Sequence, residues 1–124
     1  MKVDFQQLAR YLLIGSLAAA SHYVIAGTLH YFGTPVIIGT PSGFLVGFLI
    51  SLIGHREITF KSRKSYSFIA PRMLLLAFFG VIYNSAASAA LVNLGVNAYG
   101  AILFVVVTTP LVNYQIMRLW IFRI

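Results

Sequence analysis

Four arginines and one histidine are the side chains best suited to grip an anion, and the arginines come in matched pairs. Arg56 and Arg118 lie 62 residues apart, as do Arg10 and Arg72, and 62 is half of the 124-residue chain. His55 adjoins the first exit arginine. A guanidinium fork offers two parallel N–H donors to a phosphate. A ring of such groups at one membrane face would suit a phosphate or diphosphate headgroup. For any one of them, ordinary flanking charge beside anionic lipid is the plainer alternative.

A second set is polar but lies inside apolar runs. His22 follows Arg10 by twelve residues, and Asn84 follows Arg72 by twelve. On a helix that spacing is about 18 Å, close to the middle of a bilayer. Asn113 in the last apolar run completes this midplane polar set. Ionisable groups at such depth point to function, while an interhelical hydrogen bond of about 0.6 kcal/mol is the structural alternative. A third set is small. Gly39, Gly43, Gly47 and Ser51 recur every four residues and make one helix face a shallow groove. That face either packs closely on a neighbouring helix or admits a lipid chain. Gly15, Ala18, His22 and Ala26 share a face of the first helix and are expected to line the same groove, and Gly80, Asn84 and Ser88 repeat the arrangement in the third.

Much chemistry is missing. The only acids, Asp4 and Glu57, stand outside the apolar runs. His22, His30 and His55 fall at three depths, so within their own helices they form no metal site. No glycine-rich phosphate loop is present. The chain has no cysteine, which excludes disulfides. Neither a catalytic set nor a cofactor site emerges, and an enzyme is not expected.

The elements that must position these residues follow from charge. Residues 11–55 and 73–117 contain no Lys, Arg, Asp or Glu. Hydrophobic residues make up 60% of the chain and charged ones 9%, against roughly a quarter charged in soluble domains. Mean hydropathy is +0.90. A crossing needs about 20 residues, so each uncharged stretch holds two crossings and a tight turn. The expected fold is an all-α membrane protein of four transmembrane helices, at about 7–32, 36–54, 72–94 and 98–120. Turns stand at Gly33-Thr34-Pro35 and Gly95-Val96-Asn97, and a basic loop at 55–71. Pro41 and Pro110 fall inside helices two and four. Lys2, Arg10 and the small residues Ala18-Ala19-Ala20 resemble a signal sequence, but the apolar run continues to Phe32, so a retained helix is expected.

All nine Lys and Arg lie at the N-terminus, the central loop or the C-terminus, which predicts both termini in the cytoplasm. The net charge of +7 is accounted for by this flanking pattern, and nucleic acid is not an expected partner. The 62-residue shift also aligns Gly33 with Gly95 and Phe60 with Phe122. Each half begins on one side and makes one hairpin, so two parallel repeated hairpins are expected, about 8–62 and 70–124, within a single transmembrane domain. Trp120, Phe60 and Phe122 suit the interface.

The exits of helices two and four, His55-Arg56-Glu57-Ile58-Thr59-Phe60 and Asn113-Tyr114-Gln115-Ile116-Met117-Arg118-Leu119-Trp120-Ile121-Phe122, resemble those of the GtrA-like family of small four-helix bacterial membrane proteins. The opening Tyr11-Leu12-Leu13-Ile14-Gly15 is similar too. The family pattern has Asn-Arg-x-Trp-Thr/Val-Phe at both exits. Here His55 stands for the first Asn, Ile58 for the first Trp and Met117 for the second Asn, while both arginines and both phenylalanines remain. His22 stands where members often have Asp.

The resemblance implies a bacterial cytoplasmic-membrane protein that moves a polyprenyl-phosphate-linked sugar for cell-surface polysaccharide assembly. Its lipid-phosphate residues would be Arg56 and Arg118, with His55, Arg10 and Arg72. The alternative is an adaptor that recruits a membrane glycosyltransferase through 62–71 and its lipid-facing surfaces. A small multidrug exporter is a distant alternative, because no acid lies within a span to exchange protons. So few residues scarcely enclose a diphosphate, so a homo-oligomer is expected.

Overall fold

The computed structural model describes residues 4–123, so Lys2 of the first basic patch lies outside the described residues. Four α-helices account for most of the chain: α1 (Phe5–Tyr31), α2 (Val36–Gly54), α3 (Tyr66–Asn93) and α4 (Ala98–Ile116). α2 runs on into a π-helical turn at His55–Thr59, and α4 into a second at Met117–Ile121. No strand occurs among the described residues. All four helices are long and apolar enough to cross a bilayer. The 27 residues of α1 reach about 40 Å. The protein is an all-α, multi-pass membrane protein.

Contacts divide the chain into two compact units, one ending at Arg63 and the other beginning at Lys64. Each is a helical hairpin closed by its own π turn. Element bounds fall in the same register in both: Val36 and Ala98 open α2 and α4, and His55 and Met117 open the π turns.

Local chemistry sets these bounds. Asp4 caps α1, its Oδ1 accepting from the amides of Gln6 and Gln7 at 3.0 and 3.1 Å. Asn97 caps α4 through a 2.7 Å bond from the Gly100 amide. α1 and α3 stop on glycines in the left-handed region, Gly33 at φ +91° and Gly95 at φ +96°. Beyond them the Thr34 amide reaches back to the Leu29 carbonyl at 2.9 Å, and the Val96 amide to Leu91 at 3.0 Å.

Two predicted bounds are corrected. α3 starts at Tyr66, well before 72, because Ser65 caps it by accepting from the Phe68 amide at 3.3 Å. Pro71 therefore lies inside the helix and not at a loop's end. There it has no N–H to offer the Ser67 carbonyl, and its ring crowds that carbonyl. The basic loop, expected from 55, is also shorter, because 55–59 stays helical. Bonds from the Phe60 amide to the His55 carbonyl (2.9 Å) and from Phe122 to Met117 (2.8 Å) span five residues, the π-helical pattern. Lys61, at φ +48°, then turns the chain so that the Ser62 amide reaches the Arg56 carbonyl at 2.8 Å. Pro41 and Pro110 do lie inside α2 and α4.

The two hairpins pack differently. Gly39, Gly43, Gly47 and Gly54 of α2 are buried. A Cβ added to Gly43 would stand 2.5 Å from the His22 carbonyl oxygen, and one at Gly47 2.9 Å from that of Ala18. α1 and α2 thus touch backbone to backbone. At the matching places α4 carries Ala101, Val105 and Thr109, and its helix meets α3 less extensively. Two grooves follow the α3/α4 seam. One, of about 190 Å³, is lined by Leu76, Phe79, Gly80, Tyr83, Thr109 and Asn113 among others. The other, of about 410 Å³, lies nearer the turn against Ser88, Asn93, Ala98 and Ile102.

Candidate lipid-phosphate site

A helix end leaves its last carbonyls without donors. Each hairpin meets this need with a cation. In the first, Arg10 of α1 reaches the π turn and donates from Nη2 to the Thr59 carbonyl at 3.3 Å. In the second, the matching carbonyl belongs to Ile121, and Lys64 donates to it from Nζ at 3.1 Å. Arg72, the counterpart of Arg10, instead donates from Nη1 to the Phe68 carbonyl at 2.8 Å. Its guanidinium lies 3.6 Å from the Phe68 ring centre and 6.0 Å from that of Trp120.

Beneath the first π turn is a buried polar cluster. His55 is only 2% exposed and stacks on Tyr11 at 4.9 Å. Its Nδ1 shares a 3.0 Å hydrogen bond with the Thr59 hydroxyl, and Thr59 is fully buried. Burial without such a partner would leave the imidazole's polar atom at a cost of about 1–3 kcal/mol. His55, expected among the phosphate-binding residues, is thus turned inward and holds the hairpin together. In the second hairpin the same three places are Met73, Met117 and Ile121, all buried and apolar.

Arg56 and Arg118 take the second position of their π turns. Arg56 Nη1 pairs with the Glu57 carboxylate. Position 119, which matches Glu57, is Leu119. Arg118 lies with its guanidinium 5.8 Å from the Tyr114 ring centre.

The midspan set divides likewise. His22 faces α2 and lies edge-on to Phe44 at 6.3 Å, with its backbone against Gly43. Asn84 accepts a 2.8 Å bond from the Thr109 hydroxyl of α4. One residue before, Tyr83 shares a 2.8 Å bond with Thr108. Asn113 lines the smaller groove. The face of Gly39, Gly43 and Gly47 is filled by Ala18, His22 and Ala26, so the groove expected there is occupied by α1 itself. Gly15 stands off that face, with nothing within 4 Å of an added Cβ. The sequence reading passed over Tyr11, Thr59, Lys64 and Thr109. Only Thr59 carried a signal, its i,i+4 spacing from His55.

No curated protein and no solved structure matches the chain. A family model described as GtrA/DPMS, transmembrane domain, matches residues 10–122, nearly the whole length. Members of that family are generally non-catalytic. The chain belongs to the GtrA/DPMS transmembrane-domain family, and is a membrane protein of lipid-linked sugar metabolism.

Proposed function

We propose that the protein is a non-catalytic carrier of the bacterial cytoplasmic membrane that moves a polyprenyl-phosphate-linked sugar between leaflets. The observation that carries this reading is the placing of Arg56 and Arg118 at one register on two π turns, each at the exit of a transmembrane helix. A guanidinium at a helix exit meets a phosphate at headgroup level. Family membership favours a lipid-linked sugar as the cargo. The clustering of basic residues at the ends and centre of the chain favours cytoplasmic termini, so the headgroup is engaged from that side. Second copies of the chain, and a membrane glycosyltransferase that makes or uses the sugar lipid, are the partners of this reading.

Proteoliposomes loaded with a fluorescent polyprenyl-phosphate sugar test it. Wild-type protein should expose the headgroup to a membrane-impermeant quencher on the far side, and Arg56→Ala with Arg118→Ala should abolish that exposure. Undiminished transport by a folded double variant would contradict the proposal. Co-purification of a glycosyltransferase, with no transport by wild type, would turn the reading to an adaptor.

A further inference from the structure

Water is scarce inside a bilayer, so a side-chain amide there needs its hydrogen bonds from protein. The second hairpin leaves two amides short. Asn84, about 18 Å along α3 from Arg72, is exposed, and its carbonyl oxygen is taken by the Thr109 hydroxyl. Its amino group meets no acceptor among the described residues. Asn113 follows Thr109 by four residues, on the same face of α4, and lines the smaller groove. It is half-buried, and among the described residues its side chain makes no hydrogen bond. The nearby hydroxyls are already used: Tyr83 is bonded to Thr108, which donates onward to the Phe104 carbonyl at 2.8 Å.

Polar groups at such depth are met by partner helices. The face that carries these two is open. An added Cβ at Gly80, one turn before Asn84, meets nothing within 4 Å, and Gly80 and Asn113 both line the groove of about 190 Å³. An amide holds donors and an acceptor together, so it is complementary to another amide. Across a two-fold axis each such contact is made twice. The rest of the groove lining, with Leu76, Phe79, Val112 and Ile116, is mainly apolar and suits a second helix surface. The hydroxyl-rich head of a sugar would find few polar partners there.

We infer that a second copy of this chain docks on the α3/α4 face around Asn84 and Asn113, like face on like face, with the amides joined across the two-fold axis. This deepens the reading above, in which second copies are partners, by naming the surface at which they meet. Its test needs no transport, so the two readings fail separately.

The chain has no cysteine, so single-cysteine variants of the full-length protein report cleanly in phosphatidylcholine vesicles. Val112→Cys, on the groove, should give covalent dimers with a short bismaleimide. Leu111→Cys, also exposed but about 200° around α4 from Asn113, should stay monomeric. Affinity is read by energy transfer between copies dyed at the amino terminus, as added lipid dilutes the protein. Asn113→Leu should weaken the dimer about tenfold, because symmetry removes two amide contacts at once. The hairpin itself loses no side-chain hydrogen bond in that variant. Asn113→Gln, which keeps an amide, should recover part of the affinity. Gly80→Leu should weaken the dimer as well, by standing between the copies, while Gly15→Leu, equally unhindered on α1, should leave it as in wild type.

Equal cross-linking at 111 and 112, or a dimer that Asn113→Leu leaves unchanged, would overturn the inference and leave the transport reading standing. A wild type that stays monomeric would overturn it too; shielding of the Val112→Cys thiol by a polyprenyl-phosphate sugar would then assign the face to that lipid.

Discussion

In the first hairpin Gly39, Gly43 and Gly47 lie against α1, and the seam is shut. In the second, Ala101, Val105 and Thr109 stand in those places, and grooves run along the seam. The π turns differ in the opposite sense. The first is built on Tyr11, His55 and Thr59, the second on Met73, Met117 and Ile121. In a bilayer, lipid is as apolar as leucine, so helices associate by close packing and interhelical hydrogen bonds. The first hairpin relies on glycine contact at midspan and on the stacking of Tyr11 against His55 at the exit, while the second carries the Asn84–Thr109 and Tyr83–Thr108 hydrogen bonds between its helices. The second has side chains between its helices and grooves along its seam. One register thus supports two different packings, and the side chains at three or four matched places decide which.

The largest break in this contrast should come at Gly43. Gly43→Leu puts carbon against the His22 carbonyl and ring, and should cost about 3 kcal/mol or more, measured by denaturation in detergent. Val105→Leu at the matching place should cost less than about 1.5 kcal/mol. Equal losses would mean that the seams do not differ.

Next comes the buried cluster. Thr59→Val leaves the His55 Nδ1 without its hydroxyl partner and should cost about 2 kcal/mol. Replacing the whole set by that of the second hairpin, Tyr11→Met with His55→Met and Thr59→Ile, should recover most of the loss, since removing both sides of a buried hydrogen bond is nearly neutral. A triple variant worse than Thr59→Val alone would show that the polar set is required for more than satisfying itself.

Smaller effects lie in the second hairpin. Lys64→Met removes the donor to the Ile121 carbonyl and should cost about 1 kcal/mol. A double-mutant cycle on Asn84→Ala and Thr109→Val should give a coupling of about 0.6 kcal/mol. A coupling near zero would leave the seam to packing and the Tyr83–Thr108 bond.

Charge blocks and the Gly33 and Gly95 turns made the four spans legible, because each rests on a local rule: a charge does not sit in hydrocarbon, and a left-handed residue favours glycine. The glycine stripe was legible as a packing face. What filled it was legible in large part: Ala18, His22 and Ala26 of the small-residue face of α1 lie against it, and only Gly15 of that set stands outside it. Pro71 reads as a boundary in the sequence, yet Ser65 provides the cap and α3 runs through the proline. The π turns left no mark in the apolar pattern, since a shift from four-residue to five-residue bonding does not alter which residues are apolar. That shift takes His55 out of the candidate phosphate site and into the interior. The openness of the second hairpin was in principle readable: at the 62-residue offset, α4 has larger side chains at each glycine of α2.

The most direct measurement is photolabelling of the full chain in membranes with a polyprenyl phosphate that carries a diazirine in its tail, followed by peptide mapping. The account predicts label within the membrane-spanning helices that unlabelled polyprenyl phosphate removes and phosphatidylglycerol does not. Label that polyprenyl phosphate does not displace, or that phosphatidylglycerol displaces equally, would contradict it.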